Sequence, residues 1–491
     1  MAKAVFWRLD ELVERLGVRP LPTCRQIDLG QRLSGISSDS RSLAPGSLFV
    51  PLRGENFDGH DYIAAAIAAG ALAVLVENSR PDLVALAQRW PGILFLPVAD
   101  TLKAFGTLAR IRLDEIRPKI FAITGSNGKT TTRRMLAAIL GRCLRVHQSQ
   151  GNFNNLVGLP MTVFTMPDDC EAVVLEMGMN RPGEIAALSA IARPDILLLT
   201  NVTAAHLEGL GSLEAVTRAK CEALAGVRPG GVVIYNVDDE QLAARVPAIC
   251  SAARPDIELL PVTWHGAYTD ENLEPARASE IWLQPEGLSF VYSWRGVKEK
   301  IDLPCWGRHN VMNAALAIAA AQQLPEVTLA AAAAGLAAFS GAPGRLERYC
   351  LGRGIILVHD AYNANPASME AALSEVAGRR EGRFLALVLG GMNELGSASE
   401  ELHAALGRRV AEIRPGLILL IGELAAGIGR AARAAGLPEG RIQTFPEGAW
   451  DEARTALEER LPDASLVLVK GSRSLQLERV VEPLRDGKGR E

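Results

Sequence analysis

The segment Ile120–Thr132, which reads IFAITGSNGKTTT, decides the fold of this chain. Its first four residues are apolar and predict a strand, and the Lys-Thr pair opens a helix that we expect to stop at Gly141. Gly125 and Gly128 frame the turn between them. Because glycine has no side chain, N–H groups of such a turn can face a phosphate, and the positive end of the helix lies at the same point. The segment therefore predicts a phosphate-binding loop.

Two side chains of this loop suit nucleotide chemistry. Lys129 can reach terminal phosphates, and the Thr130 hydroxyl suits a magnesium ion that bridges them. The spacing departs from the common P-loop, because Ile123 stands where that pattern has glycine. The alternative is an ordinary Gly-Ser-Asn turn followed by a helix.

The bulk composition indicates a globular protein of several domains. With about 100–200 residues per domain, 491 residues suggest three, which we place at 1–98, 99–342 and 343–491. Apolar residues make up 48% of the chain, enough for sizeable cores. The net charge is −4 and the basic residues are spread along the chain, so we expect no nucleic-acid partner.

Cysteines and apolar runs indicate the cellular compartment. The seven cysteines are odd in number and show no Cys-x-x-Cys spacing, which is typical of reduced thiols. Met1–Leu16 mixes charged and apolar residues and predicts an amphipathic helix, not a secretion signal. The longest apolar runs, such as Ala314–Ala321 and Leu329–Phe339, are shorter than the ~20 residues of a membrane span. We therefore expect a cytoplasmic protein without membrane insertion.

Hydrophobic patterns along the chain predict an α/β fold in three parts. The first is a small α/β module with one Ala-rich helix at 61–70. In the second, short apolar strands alternate with helices, which predicts a mostly parallel sheet, and Ile257–Pro304 predicts a small β insertion of antiparallel strands. A further strand and helix series predicts a Rossmann-like α/β domain at the end. Ligands of such sheets bind beyond the carboxyl ends of the strands.

Two polar residues follow predicted strands of the central part. Glu176 comes directly after the apolar run Ala172–Leu175, where a P-loop enzyme needs a second magnesium ligand, although a carboxylate there is as often simply solvated. His206 follows the strand that ends at Thr200, but a lone histidine is more often a packed or surface residue than a ligand. Position alone leaves both roles open.

Lys220 falls on the apolar side of a predicted helix. Ser212 can cap this helix, and Lys220 lies four residues from both Val216 and Leu224 on its apolar stripe, which begins at Leu213. A bare ammonium there would cost on the order of several kcal/mol unless it were paired or neutralised. The alternative is a snorkelling lysine whose head reaches water.

Segments along the chain resemble those of the Mur ligases of peptidoglycan synthesis. They are Thr124–Thr130, Gly151–Asn155, Glu176–Asn180, Ala205–Glu208, Gly307–Asn313, Pro343–Arg345, Asp360–Pro366 and Lys470–Ser474. The resemblance covers nearly the whole chain and implies an ATP-dependent amide ligase with a uridine-binding module, a central ATPase domain and a Rossmann-like domain that closes on ATP. In Tyr362–Pro366, Asn393–Gly396 and Lys470–Ser474 it extends to the family member that adds D-alanyl-D-alanine to UDP-N-acetylmuramoyl-tripeptide.

The resemblance also implies ATP, two magnesium ions and a carbamylated lysine as parts of the site. The residues implied for ATP are Thr124, Gly125, Ser126, Asn127, Gly128, Lys129, Thr130, Thr131, Asn310 at adenine, Arg345 at phosphate and Asp360 at ribose. Thr130 and Glu176 would hold one magnesium ion, and His206 with carbamylated Lys220 the other. The catalytic residues would be Lys129, Glu176, His206 and Lys220.

Further residues are implied for the two substrates. Those for the UDP-linked tripeptide are Ser38, Asp39, Ser40, Arg41, His60, Asn152, Asn154 and Asn155, and those for the dipeptide are Asn363, Asn365 and Glu394. On composition alone the 37–41 and 53–61 segments are polar turns, and Arg41 can pair either with a diphosphate or with Asp39. Two positions depart from the family: Gly391 replaces a usual aspartate, and His359 stands where an acid often precedes Asp360.

The implied reaction makes an acyl phosphate from the tripeptide carboxylate and the ATP γ-phosphoryl group, which the dipeptide amine then attacks. No side-chain nucleophile is required, in keeping with a sequence that offers no Ser-His-Asp or Cys-His pattern. The alternatives are a sister ligase that adds one amino acid such as lysine or diaminopimelate, a related folate polyglutamyl ligase, and a nucleotide-binding scaffold of cell-wall assembly without turnover. We expect a monomer, and the third residue of the tripeptide stays open.

Overall fold

The computed structural model describes residues 6–21, 27–54, 56–203, 207–264 and 273–486, and within these ranges the chain forms three β-sheets in succession. The amino-terminal sheet is parallel, with strands in the spatial order β1 (Ile36–Ser37), β2 (Leu48–Phe49), β3 (Ala73–Glu77) and β4 (Leu94–Val98). The α-helices of this part are α1 (Leu9–Leu16), α2 (Ile63–Ala68) and α3 (Leu83–Arg89).

The central sheet has nine strands. They are β5 (Lys119–Thr124), β6 (Val146–Gln148), β7 (Ala172–Glu176), β8 (Ile196–Leu199), β9 (Val232–Asn236), β10 (Glu258–Thr263), β11 (Ala276–Leu283), β12 (Leu288–Trp294) and β13 (Val297–Leu303). Their spatial order is β13-β12-β11-β10-β9-β8-β5-β7-β6. The accompanying helices are α4 (Thr101–Ile116), α5 (Lys129–Leu140), α6 (Gly158–Phe164), α7 (Glu184–Ala192), α8 (Leu207–Leu210), α9 (Leu213–Cys221), α10 (Glu240–Ala253), α11 (His309–Ala321) and α12 (Leu329–Ala337).

The predicted β insertion is continuous with this sheet. β10 pairs in parallel with β9, and β11 pairs in parallel with β10, whereas β12 is antiparallel to both of its neighbours, β11 and β13. The segment therefore contains antiparallel strands, as the sequence predicts. They extend the edge of the central sheet because the chain enters them through a strand that is already paired.

β5 is buried on both faces, which fixes the position of the loop that follows it. Phe121 and Ile123 belong to a hydrophobic cluster with residues of α5 and α11, whereas Ile120 and Ala122 belong to a cluster that continues into the amino-terminal part. β5 is parallel to its neighbours β7 and β8, so the carboxyl ends of all three meet at one edge. The phosphate loop lies at that edge.

The third sheet has the spatial order β14 (Glu347–Cys350), β15 (Ile356–His359), β19 (Leu466–Lys470), β16 (Leu385–Gly390), β17 (Leu417–Ile421) and β18 (Ile442–Phe445). All its pairs are parallel except that of β14 with β15. Its α-helices are α13 (Pro366–Gly378), α14 (Ser399–Ile413), α15 (Glu423–Ala434), α16 (Trp450–Arg460) and α17 (Glu478–Asp486). The α/β class is confirmed, and the three sheets form the cores of an amino-terminal, a central and a third domain. The exact limits near residues 98 and 342 stay predictions.

Short 3₁₀ helices connect several of these elements, at Gly59–Tyr62, Glu222–Gly226, Gly352–Gly354, Gly396–Ala398, Glu439–Arg441 and Arg473–Leu475. None of the helices in the described ranges is both long and apolar enough to cross a membrane.

Candidate active site

A cleft of about 730 Å³ lies between the carboxyl edge of the central sheet and the third domain. Its wall combines the phosphate loop with residues that follow β7, β8 and β9, and with Arg345, Asp360 and Asn365 of the third domain. Ligands of parallel sheets bind at this edge, and a cleft of this size accommodates a nucleotide.

Two glycines allow the shape of the phosphate loop. φ is +148° at Gly125 and +84° at Gly128. A Cβ atom built on Gly125 would lie 1.9 Å from Thr200 Oγ1, and one built on Gly128 would lie 2.4 Å from Asn313 Oδ1. Backbone conformation and crowding therefore both exclude a side chain at these positions.

Not every N–H group of the loop is directed at a phosphate. The N–H of Ser126 donates to the backbone oxygen of Asn201 at 2.9 Å, and the N–H of Asn127 donates to Asn201 Oδ1 at 2.9 Å. These bonds tie the loop to the residue after β8. The donors that remain for a phosphate belong to the first turn of α5, where helix geometry leaves N–H groups without partners.

Lys129 folds back onto the loop. Its Nζ donates to the backbone oxygens of Gly125 at 2.8 Å and Ser126 at 3.1 Å. Burial lowers the pKa of this amine, and the negative charge of Glu176 acts in the opposite direction. A nucleotide phosphate would give this desolvated ammonium a close counter-ion.

Glu176, the last residue of β7, is the centre of a hydrogen-bonded cluster. Its Oε2 accepts a bond from the Thr130 hydroxyl at 2.9 Å, its Oε1 accepts one from the Asn154 amide at 3.0 Å, and only 3% of the residue is exposed. The structure thus brings Thr130 and Glu176 together and adds Asn154, which the resemblance assigned to the UDP-linked substrate. Hydroxyl and carboxylate oxygens are ligands that magnesium accepts when phosphates and water complete its shell, so these residues fit that ion. The described part of the chain contains no group of three or more His, Cys, Asp or Glu that could hold a metal by itself.

Arg133, one turn after Thr130 on α5, is a member of this cluster that sequence reasoning missed. Its Nε lies 3.6 Å from Glu176 Oε2, and 3% of the residue is exposed. Its Nε and Nη1 are buried and find no hydrogen-bond partner in the described part of the chain. The guanidinium therefore provides a buried counter-charge to Glu176, and its spacing of three residues from Thr130 was the signal available in the sequence.

Lys220 is buried where the helix pattern placed it. Ser212 caps α9 by accepting a bond from the Ala215 N–H, and Lys220 is 2% exposed at the wall of the cleft. Among the described residues, no hydrogen bond or ion pair engages its amine. Burial, reinforced by the charge of Lys129, holds the pKa of Lys220 well below its usual range. The snorkelling alternative is excluded, whereas Leu213 at the start of the predicted stripe is exposed.

His206, the other residue assigned to the second magnesium ion, lies outside the described residues. Its position relative to Lys220 and Glu176 stays a prediction.

Arg345 reaches from the third domain to the hydrogen-bonded cluster around Glu176. Its Nη2 donates to Thr130 Oγ1 at 3.1 Å, and its guanidinium lies 4.4 Å from the ring centre of Tyr362. The aromatic face and the hydroxyl together orient the planar cation toward the phosphate loop.

The residues assigned to ribose and adenine are held by neighbours. Asp360 Oδ2 forms an ion pair with Lys470 Nζ at 2.8 Å, and its Oδ1 accepts a bond from the Leu346 N–H at 3.1 Å. The Asn310 amide donates to the backbone oxygen of Trp306 at 2.6 Å and accepts from Asn313 at 2.9 Å. Asp360 and Asn310 both line the cleft, and the hydrogen bonds and ion pair just described hold their side chains in place there.

The residues assigned to the dipeptide differ in their surroundings. Asn365 contacts Asn127 of the phosphate loop, Asn363 Oδ1 accepts a bond from the next N–H of the chain, and Glu394 has φ of +63° in a loop at the wall of the cleft. A Cβ atom at Gly391 would lie 2.5 Å from Leu424 Cβ, so the aspartate usual in the family has no room here.

The loop that contains Gly391 is supported instead by His403, a 2% exposed residue that the sequence did not single out. Its Nε2 accepts a bond from the Met392 N–H at 2.9 Å, and its Nδ1 lies 2.6 Å from the backbone oxygen of Ser399. The other departure, His359, has its Nδ1 3.7 Å from Glu347 Oε2. At both positions that depart from the family pattern, a nearby side chain supports the local structure: His403 at the Gly391 loop and Glu347 at His359.

Of the residues assigned to the UDP-linked tripeptide, Asn154 lines the cleft, and the other members of that set are not among its lining residues. Arg41 pairs with Asp39 through two bonds of 2.9 and 2.8 Å, which is one of the two alternatives that the sequence left open. The ring of His60 is buried, with Nδ1 2.6 Å from Asp58 Oδ1. The Asn155 side chain accepts bonds from the N–H groups of Val157 and Gly158 at the start of α6, so it has a structural role. The remaining members, Ser38, Ser40 and Asn152, lie on turns.

Several residues that line the cleft were not predicted. They are Asn201, Thr203, Asn236, Asp238, Asp239 and Trp264 on the central domain and Ser472 and Ser474 on the third. Asn201, Asn236, Asp238 and Asp239 lie at or just after the ends of β8 and β9. The rule that ligands bind at strand ends was therefore the signal that could have found them.

Family models match three consecutive parts of the chain. Residues 32–110 match the Mur ligase family catalytic domain, residues 123–321 the Mur ligase middle domain, and residues 344–473 the Mur ligase glutamate ligase domain. The chain is 36% identical to the UDP-N-acetylmuramoyl-tripeptide--D-alanyl-D-alanine ligase of Bacillus subtilis, over 92% of this chain and 93% of that one. It is also 36% identical to the enzyme of the same name from Escherichia coli, over 92% and 94%.

Solved structures give the same result. MurF from Acinetobacter baumannii superposes with a TM-score of 0.84 at 29% identity, over 99% of this chain and all of that one. MurF ligase from Thermotoga maritima in complex with ADP superposes with a TM-score of 0.77 at 26% identity, over 92% of this chain and 97% of that one.

Proposed function

The chain belongs to the Mur ligase family, and we propose that it joins D-alanyl-D-alanine to the peptide carboxylate of UDP-N-acetylmuramoyl-tripeptide with conversion of ATP to ADP and phosphate. It is an ATP-dependent ligase that forms an amide bond. The observation that carries this function is the convergence of Lys129, Thr130, Glu176 and Arg345 at one edge of the central sheet. Such a set of cations and oxygen ligands suits transfer of a phosphoryl group.

A carboxylate is a poor electrophile, so it must be activated before an amine can attack it. A carboxylate oxygen attacks the γ-phosphorus of ATP, the bond to the β,γ-bridging oxygen breaks, and ADP leaves. The dipeptide amine then attacks the carbonyl carbon of the acyl phosphate, inorganic phosphate leaves with the former carboxylate oxygen, and the amine loses a proton. Lys129 and Arg345 offset the negative charge that develops on the transferred group.

Thr130 and Glu176 would hold a magnesium ion, which supplies charge neutralisation and orientation of the phosphates when bound. Arg133 and Asn154 keep the Glu176 carboxylate in place for that ion. We include a second magnesium ion, held by His206 and a carbamate on Lys220, as part of the same proposal. The support for the carbamate is that a buried amine with a lowered pKa is neutral more readily, and only the neutral amine attacks carbon dioxide.

The three domains take separate roles in this proposal. The amino-terminal domain, with Ser38, Asp39, Ser40, Arg41 and His60, binds the uridine nucleotide, helped by Asn152, Asn154 and Asn155. Breaking of the ion pair between Asp39 and Arg41 would free the Arg41 guanidinium to bind the diphosphate of the UDP-linked substrate. The third domain closes on ATP through Arg345 and Asp360 and presents the dipeptide near Asn363 and Glu394. We propose that the enzyme acts in the cytoplasm as a monomer.

Phosphate release distinguishes this function from its alternatives. Purified protein is mixed with ATP, magnesium and the UDP-linked tripeptide, and D-alanyl-D-alanine is compared with single amino acids such as lysine and diaminopimelate. We expect phosphate release when D-alanyl-D-alanine is the added amine and no release with the single amino acids. Release driven by a single amino acid would identify the sister ligase, and nucleotide binding without any release would identify a scaffold.

A further inference from the structure

Asn365 makes a contact that the proposed reaction does not explain. It is the N-cap residue of α13 in the third domain, where its Oδ1 accepts a bond from the Ser368 N–H at 2.9 Å and its own N–H donates to the Ser368 hydroxyl at 3.0 Å. This reciprocal pair is a capping box, which stabilises the first turn of the helix.

The same side chain also crosses to the central domain. Asn365 Nδ2 donates to Asn127 Oδ1 at 2.7 Å, and Asn127 Nδ2 lies 3.4 Å from Asn365 Oδ1. Only 8% of Asn365 is exposed. Both polar atoms of the side chain are therefore engaged by protein groups, in a buried position between the two domains.

Asn127 of the phosphate loop is hydrogen-bonded through both its backbone and its side chain. Its N–H donates to Asn201 Oδ1, its backbone oxygen accepts bonds from Thr200 Oγ1 at 2.6 Å and Asn201 Nδ2 at 3.1 Å, and its Nδ2 donates to Thr203 Oγ1 at 3.2 Å. The loop after β8 thus holds the Asn127 backbone and one side of its amide. Asn365 holds the other side.

We propose that Asn365 is a positioning residue that couples closure of the third domain to the conformation of the phosphate loop, and that it does not contact the dipeptide. When the third domain is closed, the cap of α13 holds the Asn127 amide. When the domain opens, the 2.7 Å bond breaks and Asn127 loses one of its restraints. The inference rests on the proposed function only in that the loop binds the phosphates of a nucleotide.

A double-mutant cycle on ADP affinity tests this coupling by calorimetry with the full-length protein. The variants are Asn365→Ser, Asn127→Ser and the double variant. Serine caps a helix about as well as asparagine but is too short to reach across the domain boundary. Ser368→Ala is the matched control, because it removes one bond of the capping box and leaves the Asn127 contact in place.

We expect each single asparagine variant to weaken ADP binding by about 3- to 10-fold, and the double variant to bind no more weakly than the weaker single variant, because one shared hydrogen bond is lost in all three. Ser368→Ala should lower the melting temperature and leave ADP affinity within about 2-fold. Multiplicative losses in the double variant would overturn the proposal.

The Michaelis constant for D-alanyl-D-alanine supplies a second readout. If Asn365 positions the loop, Asn365→Ser lowers kcat and leaves the KM for the dipeptide unchanged. A raised KM for the dipeptide with unchanged ADP affinity would overturn the proposal and restore Asn365 as a substrate contact. Because ADP binding requires no amide synthesis, failure of the proposed reaction would leave the binding cycle interpretable.

Discussion

The Arg345 guanidinium of the third domain donates a hydrogen bond to the hydroxyl of Thr130 on the central domain at 3.1 Å. Thr130 in turn donates to Glu176, so a single hydroxyl links the third domain to the carboxylate proposed as a magnesium ligand. This relationship explains how closure of one domain can complete a site built on another.

Replacement of Arg345 by lysine should impair the chemical step. Lysine keeps the charge but loses the planar donor that stacks on Tyr362 and bonds Thr130. We expect kcat to fall by roughly 100-fold, as for loss of a donor that stabilises transition-state charge, with the KM for the UDP-linked tripeptide little changed. Steady-state kinetics measures both constants, and a variant with wild-type kcat would show that Arg345 has no part in catalysis.

Lys220→Ala should remove nearly all turnover, because the proposed second magnesium ion loses its carbamate ligand. The fold and ATP binding should be retained. We expect a fall in kcat of roughly 100-fold or more with a melting temperature close to wild type. NMR with ¹³C-labelled bicarbonate should show a carbamate signal in the wild-type protein that the variant lacks. An almost fully active variant, or the same signal in both proteins, would contradict the role given to Lys220.

Gly128 and Gly183 form a matched pair for testing crowding in the phosphate loop. Both are N-cap residues with nearly the same backbone, φ +84° and ψ −13° at Gly128 against φ +85° and ψ −17° at Gly183. A Cβ atom at Gly128 meets Asn313 Oδ1 at 2.4 Å, whereas one at Gly183 has no atom within 4 Å. Alanine should therefore cost about 1–2 kcal/mol in backbone strain at either position, and the two variants should differ only in the crowding of the added Cβ atom.

We expect Gly128→Ala to lose ADP binding by at least about 10-fold, because the loop must shift, and Gly183→Ala to keep wild-type affinity. Thermal unfolding should show a loss of stability in both variants, larger at Gly128. Equal ADP affinity in the two variants would mean that the loop accepts a side chain at this point.

Glu347 predicts acid sensitivity in the third domain. The neighbouring His359 ring, together with the hydrogen bond from the Gly344 N–H at 2.9 Å, lowers the pKa of the carboxyl to about 2. Because the folded pKa is below that of the unfolded chain, near 4.3, the carboxylate contributes stability above about pH 4.3 and loses it as the pH falls toward 2. Urea unfolding of wild type and Glu347→Gln should differ most above pH 4.5, and the difference should shrink on acidification. A difference that grew at lower pH would contradict this assignment.

The sequence predicted the elements around the phosphate loop well, because each depended on local chemistry. Apolar runs marked β5, β7 and β8, and the Gly-Ser-Asn-Gly turn marked the loop. The position of Lys220 on an apolar stripe marked an unusual lysine, although the pattern alone left burial and snorkelling both open. Each of these signals is contained within a short stretch of sequence.

The rest of the site depended on contacts between distant parts of the chain. The three-residue spacing placed Arg133 on the same helix face as Thr130, but its contact with Glu176, like that of Asn365 with Asn127, depends on tertiary packing. The edge position of β11 to β13 was missed for the same reason, since antiparallel strands look alike whether they stand apart or extend a sheet.

The fate of the carboxylate oxygens tests the central claim most directly. The tripeptide carboxylate is labelled with ¹⁸O, the reaction is run with ATP and D-alanyl-D-alanine, and the products are weighed by mass spectrometry. Formation of an acyl phosphate transfers one labelled oxygen to each molecule of inorganic phosphate and none to ADP. Unlabelled phosphate, or label recovered in AMP, would contradict activation by the γ-phosphoryl group at this site.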